Sequence, residues 1–223
     1  EEPDATEIKK ELDSHKLGTE KVEVAIDGDK AVMVEVKTET DFTAKNEDFI
    51  DMVDGICKIA MSGSAGDVSV NDDIQKLVDD VRIKTGENAN YSRGEKLEGG
   101  HYGSYLHHDG KRSCLIQVDG AADEDVLKGI CQHIVFHDPA AIGPDDVPAE
   151  TMEKIHGDAM TEAKGSGKND EIAGKIADGK VRKYLEENTL IKQKYVLDET
   201  KTVEEMLPSG VNITKFLRYT LGG

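Results

Sequence analysis

The feature that most constrains how this chain folds is a change of hydrophobic period near residue 40. Residues 21–37 alternate apolar and polar side chains on both sides of Asp27-Gly28-Asp29, which predicts a β-hairpin with its turn there. We expect the alternating apolar residues to share one face of the sheet: Val22, Val24, Ile26, Val32, Val34 and Val36. Beyond the hairpin, apolar residues recur every three or four positions, which predicts a helix that ends near Gly63. The stripe of this helix consists of Phe42, Phe49, Val53, Ile56, Cys57 and Ala60.

A second helix and a second hairpin follow. Periodic apolar residues predict a helix from Asp72 to about Lys84, and Gly86 stops it. Residues 103–118 predict another hairpin that turns at Asp109-Gly110-Lys111. Its second strand carries on one face Cys114, Ile116 and Val118.

The two hairpins are related by a shift of 82 positions along the chain. The shift superposes the two turns and three further pairs, which are Val34 with Ile116, Val36 with Val118, and Asp41 with Asp123. Gly and Asp favour turns in any protein, so the turn matches alone have little weight. We infer a duplicated unit made of one hairpin and the helix that follows it.

The rest of the sequence predicts a helical hairpin and a last strand. The loop 139–148 holds three of the five prolines, so we expect no regular element there. Two helical patterns follow and are separated by a Gly-rich breaker at 165–169, which predicts an antiparallel helical hairpin at about 149–188. Residues 211–221 predict a strand that completes the second sheet.

These elements predict an α+β fold with two related subdomains. Each subdomain is expected to be an antiparallel sheet covered by helices, and the helical hairpin is inserted in the second one. We expect the first subdomain at 21–100, the second at 101–223, and an N-terminal remnant or linker at 1–20.

Charge and hydropathy exclude several classes of function. The chain has 46 acidic and 28 basic side chains and a net charge of -18, so we expect no nucleic-acid partner. Its apolar runs are only a few residues long, which predicts no membrane span, and its first residues lack the pattern of a secretory signal. The three cysteines form no C-x-x-C pair, so we expect reduced, packed thiols at Cys57, Cys114 and Cys131.

The histidines are the residues that best support an enzymatic function. A metalloenzyme would use His107, His133 and His137, and it would carry bound metal when purified. His133 and His137 stand at i and i+4, but no glutamate follows His133 as the H-E-x-x-H motif requires, and a nucleophile elbow and a phosphate-binding P-loop are absent. We therefore expect no catalytic residue, no metal and no cofactor.

Residues 38–49 depart from ordinary patterning, because charge is dense around one aromatic residue at a helix start. Thr40 or Asp41 is expected to cap the helix. Phe42 could pack inward or be exposed. An exposed Phe beside a carboxylate at a rigid junction is typical of a residue that anchors a protein interface.

Residues 40–49, Thr-Asp-Phe-Thr-Ala-Lys-Asn-Glu-Asp-Phe, closely resemble the T-D-F-V-A-[KR]-N-x-x-F signature of the elongation factor Ts family. Three other motifs occur in the same order: Lys84-Thr85-Gly86-Glu87-Asn88 for K-[IL]-G-E-N, Gly103-Ser104-Tyr105-Leu106-His107 for G-S-Y-x-H, and Phe216-Leu217-Arg218-Tyr219 for F-[IV]-R-[FY]. The helical hairpin stands where the family has a coiled-coil insertion. The resemblance covers roughly residues 20–223.

The resemblance implies a guanine-nucleotide exchange factor that binds elongation factor Tu, in its GDP-bound and nucleotide-free states. It places Thr40, Asp41 and Phe42 against the partner beside its magnesium site, and it gives His107 a supporting role there. The hairpin would add a second contact. No residue would act chemically, and the setting would be the bacterial cytoplasm or the matrix of a mitochondrion or plastid.

The chain also departs from the family pattern. The roughly 20 residues before Lys21 are too few for the ubiquitin-associated type of module that opens most bacterial members, so we expect the core without that module, with at most a helix over 6–15. Thr43 replaces the signature valine. A scaffold that kept the fold without exchange activity remains an alternative, and so does a homodimer within a Tu/Ts complex.

Overall fold

The computed structural model describes residues 5–108 and 111–220, in which two antiparallel sheets pack face to face with helices outside them. The first sheet has the order β1-β2-β4-β3, with β1 Thr19–Asp27, β2 Lys30–Thr38, β3 Gly66–Asp67 and β4 Ala89–Glu98. The second has the order β5-β6-β9, with β5 His101–Leu106, β6 Arg112–Val118 and β9 Ile213–Thr220. A small sheet pairs β7 Lys194–Tyr195 with β8 Asp198–Thr202. The predicted α+β fold is confirmed.

The described part of the chain contains seven α-helices. They are α1 Ala5–Leu12, α2 Asp41–Ala44, α3 Glu47–Ser62, α4 Asp72–Thr85, α5 Glu124–His137, α6 Ala149–Gly165 and α7 Asp170–Asn188. Short 3-10 helices occupy Pro144–Asp146, Leu190–Lys192 and Glu204–Met206. The first of them lies in the proline loop, where we expected no regular element, because Pro144 starts a 3-10 turn without needing an N–H donor.

Helices α3 and α4 cover the outer face of the first sheet. Val32, Val34 and Val36 of β2 point to this side and pack with the buried faces of both helices. The side chain of Asn71 caps α4, and Gly86 ends it in the left-handed conformation, with φ of 68°. The predicted helix from Asp72 is thereby confirmed.

The prediction that all six apolar residues of the first hairpin share one face is wrong. The turn pairs Asp27 with Lys30, which places Val24 opposite Met33. Residues directly opposite each other in antiparallel strands point to the same side. Val22 and Met33 therefore pack in the core between the two sheets, whereas Val34 faces the helices.

The predicted helix over residues 42–60 is in fact two helices. Asn46 leaves the helical conformation, and its side chain accepts a hydrogen bond from the backbone N–H of Asp48 at 2.8 Å, which starts α3 anew. Phe49 is fully buried in the stripe of α3. Phe42 belongs to the short helix α2 and is not part of that stripe.

Strand β4 was not predicted. Its alternation is broken by a register shift opposite Glu35 and Val36 of β2. It also carries an inward-facing lysine, Lys96, which is only 1 % exposed. The Lys96 ammonium donates to the carbonyl of Gly63 at 2.5 Å and pairs with Glu98 at 2.6 Å, which compensates its burial.

Helix α5 covers the outer face of the second sheet. Cys114, Ile116 and Val118 face it from the central strand β6, as predicted. Strand β9 supplies the predicted last strand and pairs with β6. The duplicated positions in β2 and β6 occupy equivalent places, since both strands are central and direct these side chains toward a covering helix. The turn residues Asp109 and Gly110 lie outside the described residues.

Helices α6 and α7 form the predicted antiparallel helical hairpin. Their seam consists of small side chains, with buried Ala159, Ala163, Ala173 and Ala177. At the base, the N–H of Ala140 donates to the carbonyl of Asn188 and the N–H of Leu190 to that of Ala141, each at 2.9 Å. The domain boundaries proposed from the sequence remain a prediction.

The three cysteines are free and buried. Burial raises the pKa of the Cys57 thiol to about 12. In residues 5–108 and 111–220, no helix is both long and apolar enough to cross a membrane.

Candidate functional site

The junction between β2 and α2 presents the residues that the sequence singles out. We call residues 40–44 the Phe42 turn. Thr40 is extended, with φ of -130° and ψ of 157°, and its hydroxyl accepts from the backbone N–H of Thr43 at 3.4 Å. Thr40 is thus the N-cap, and Asp41 is the first helical residue. The Asp41 carboxylate instead accepts from the hydroxyl of Thr19 at 2.8 Å.

Phe42 is 88 % exposed, as expected for a residue that meets a partner. Its neighbour Thr43 is buried, so the turn is anchored to the protein while the aromatic ring points away from it. Leaving a Phe in water forgoes about 1.5–3 kcal/mol of burial free energy. That free energy is available to a partner that covers the ring.

The loop after α4 braces the Phe42 turn. The Thr40 hydroxyl lies 2.9 and 3.0 Å from the two carboxylate oxygens of Glu87, to which it donates. The N–H of Asn88 donates to the Glu39 carboxylate at 2.5 Å, and the Asn88 carbonyl accepts from the Thr38 hydroxyl at 3.2 Å. The motif at 84–88 therefore meets the end of β2 and Thr40, the first residue of the motif at 40–49.

A contact between two helices lies at the edge of this region. The Lys84 ammonium is 2.6 Å from the Asp48 carboxylate, and this hydrogen bond raises the pKa of Lys84. It ties the last turn of α4 to the first turn of α3.

His107 follows β5 in the second sheet and is 8 % exposed. Its Nδ1 is 2.9 Å from the Tyr105 hydroxyl, and its backbone N–H donates to the carbonyl of Arg112 at 2.8 Å. The ring of Phe136 meets the His107 ring edge to face, with centroids 5.6 Å apart. Phe136 is 57 % exposed, and its contact with His107 was not predicted because its helical position is one residue outside the apolar stripe.

The two parts of the site lie in different sheets but at the same end of them. Near the start of β2, the Tyr102 hydroxyl donates to the carbonyl of Asp29 at 3.1 Å. Further along β2, Glu35 pairs with Arg93, and Arg93 contacts Tyr219 of the second sheet. Leu106, at the end of β5, lies at the same level of that sheet as Tyr219, because both pair with the same residue of β6. Strands β2 and β5 therefore run in the same general direction. Their ends carry the Phe42 turn and His107.

His133 and His137 pack together in helix α5, away from the Phe42 turn. The N–H of Val196 donates to Nδ1 of buried His133 at 3.2 Å, so Nε2 carries the proton and donates to Gln193 at 2.8 Å. Burial is the main reason why the pKa of His133 is lowered. The His133 and His137 rings stack with centroids 4.5 Å apart. Among the described residues, no group of three or more His, Cys, Asp or Glu side chains could hold a metal ion.

An exposed aromatic ring on a braced turn, beside a carboxylate, is typical of the anchor residue of a protein interface. Comparison with known sequences gives the family. The model of the family described as elongation factor TS matches residues 39–223. The chain belongs to the elongation factor Ts family, and it is a translation elongation factor.

Several bacterial relatives named elongation factor Ts match most of the chain. The protein of Psychrobacter sp. is 32 % identical over 208 residues, which are 89 % of this chain and 70 % of the relative. The proteins of Erwinia tasmaniensis and Escherichia coli O139:H28 are each 34 % identical over 206 residues, 90 % of this chain and 71 % of theirs.

Proposed function

We propose that this protein promotes the release of GDP from elongation factor Tu by placing Asp41 and Phe42 against the partner's nucleotide-binding domain, beside its magnesium site. The observation that carries the proposal is the exposure of Phe42, at 88 %, on a turn whose cap and flanks are hydrogen-bonded to the protein. Such a turn loses little conformational freedom on binding, so most of the free energy of burying the ring contributes to the binding free energy.

The physical basis of exchange is linkage. A protein that binds nucleotide-free Tu more tightly than GDP-bound Tu must weaken GDP binding by the same factor. A magnesium ion is the largest local positive charge at a phosphate site. Insertion of Phe42, with the Asp41 carboxylate next to it, would disturb that ion and speed GDP release. No chemical step by this chain is needed.

Two further surfaces would add contacts to the same partner. His107 lies at the same end of the sheets as the Phe42 turn, and the exposed ring of Phe136 continues that surface. The helical hairpin of α6 and α7 would contact the partner at a separate place.

Release of fluorescently labelled GDP from elongation factor Tu, measured by stopped flow with and without this protein, tests the proposal. We expect faster release that saturates with protein concentration. Binding without faster release would instead support the alternative of a scaffold. Analytical ultracentrifugation of the complex with nucleotide-free Tu would show whether it contains one or two copies of this chain.

A further inference from the structure

We propose that Glu87 is a positioning residue for the Phe42 turn, and that it acts through Thr40 without touching the partner. The inference rests on the proposed function for its effect on exchange. The positioning itself is a property of the free protein and can be measured there.

The Thr40 hydroxyl has one proton and two lone pairs. Both Glu87 carboxylate oxygens are within 3.0 Å of it, so the proton points to Glu87. A lone pair is then directed to the backbone N–H of Thr43, which the hydroxyl caps at 3.4 Å. Because this capping contact is long, the orientation of the hydroxyl decides whether the cap is made.

Glu87 is itself held in place. Gly86, with φ of 68°, turns the chain out of α4 immediately before it. Directly after it, Asn88 bonds on one side to the Glu39 carboxylate and on the other to the Thr38 hydroxyl. The Glu87 to Thr40 contact is thus the third of three hydrogen bonds that tie this loop to the end of β2, and it is the one that reaches the helix carrying Phe42.

The first experiment uses the free protein and measures amide hydrogen exchange by NMR. Glu87→Ala removes the acceptor, and Glu87→Gln keeps an oxygen that can accept from Thr40. Glu205→Ala is a matched control, because Glu205 accepts from the Thr202 hydroxyl at 3.0 Å in a different part of the fold.

We expect Glu87→Ala to speed exchange at the amides of Thr43 and Ala44 roughly tenfold, as for the loss of a hydrogen bond to a charged group. Exchange within α3 should not change. Glu87→Gln should restore most of the protection, and Glu205→Ala should leave these amides as they are. Unchanged exchange at Thr43 and Ala44 in Glu87→Ala would overturn the proposal.

The second experiment measures GDP release in a double-mutant cycle. If Glu87 acts through the Phe42 turn, Glu87→Ala slows release in the parent protein but has no further effect in the Asp41→Ala/Phe42→Ala protein, which lacks both side chains that the turn presents to the partner. Additive effects would mean that Glu87 contacts the partner directly, which contradicts the proposal. If Phe42→Ala itself leaves release unchanged, the proposed function of Phe42 fails, and the exchange measurement still decides the role of Glu87.

Discussion

The guanidinium of Arg93 lies 4.1 Å from the centre of the Tyr219 ring and joins the first sheet to the second. The same side chain pairs with Glu35 at 2.6 Å, and the Glu35 side chain is only 4 % exposed. One residue therefore serves both the contact between the sheets and a buried carboxylate.

Arg93→Ala should lower the free energy of unfolding by about 2 kcal/mol, because it leaves the Glu35 charge buried with only Lys37 nearby at 3.8 Å. This value is below that for fully buried pairs, since half of the Arg93 side chain is exposed. Denaturant unfolding measures the loss. Glu35→Gln added to Arg93→Ala should recover part of it, and no recovery would mean that the Tyr219 contact dominates.

Phe42→Ala should change the free energy of unfolding by less than about 0.5 kcal/mol, as for an exposed side chain. It should reduce the stimulation of GDP release at least about tenfold, because an interface anchor is typically worth on the order of 2 kcal/mol. The matched control is Phe49→Ala, which empties a fully buried site and should cost about 3 to 5 kcal/mol. A folded Phe42→Ala protein with normal activity would contradict the interface role.

Thr40→Ala and Asp41→Ala should differ in their effect on stability. Thr40 is the cap, so its substitution should cost about 1 kcal/mol of stability. Asp41 loses only an exposed hydrogen bond from Thr19, and its substitution should cost less than about 0.5 kcal/mol while it slows exchange. Thermal unfolding and GDP release, measured on both variants, test these expectations. A larger stability loss in Asp41→Ala than in Thr40→Ala would mean that Asp41, and not Thr40, is the cap.

Removal of residues 152–185, with a short Gly/Ser turn in their place, should leave a folded core that binds elongation factor Tu less tightly. In the described part of the chain, the three apolar clusters contain no residue of α6 or α7. Calorimetry should show one cooperative transition. Its disappearance would show that the helical hairpin is part of the core.

His133 should make stability depend on pH. Burial lowers its folded-state pKa below the ordinary 6.5, so the unfolded chain binds a proton more readily than the folded one. The contribution of His133 is complete above pH 6.5 and is lost as the pH falls through the lowered value. Unfolding free energies at pH 7.5 and 5.5 should therefore differ more in the parent protein than in His133→Gln. Equal differences in the two proteins would mean that His133 does not cause the pH dependence.

Much of the fold could be predicted because its elements have simple periods. The face of the first hairpin could also have been derived, since a two-residue turn that pairs Asp27 with Lys30 sets even-numbered residues of β1 opposite odd-numbered residues of β2. Strand β4 could not, because its register shift and the buried Lys96 hide the alternation.

The site was predictable only where a local sequence pattern indicates it. The charges around Phe42 indicated its exposure, and this is observed. The contact between Thr40 and Glu87 spans 47 positions, so no local pattern contains it. It arises from the way α4 and β2 meet in the fold.

The length of the helical hairpin bears on how binding strength is distributed. Helix α7 has 19 residues, so its far end lies about 28 Å from its base. If the Phe42 turn and the hairpin both contact one molecule of elongation factor Tu, the two contacts are bivalent. Once the first forms, the second takes place at a high effective concentration, so neither has to be strong alone. Each can then dissociate separately, which allows the protein to leave its partner stepwise once a new nucleotide is bound.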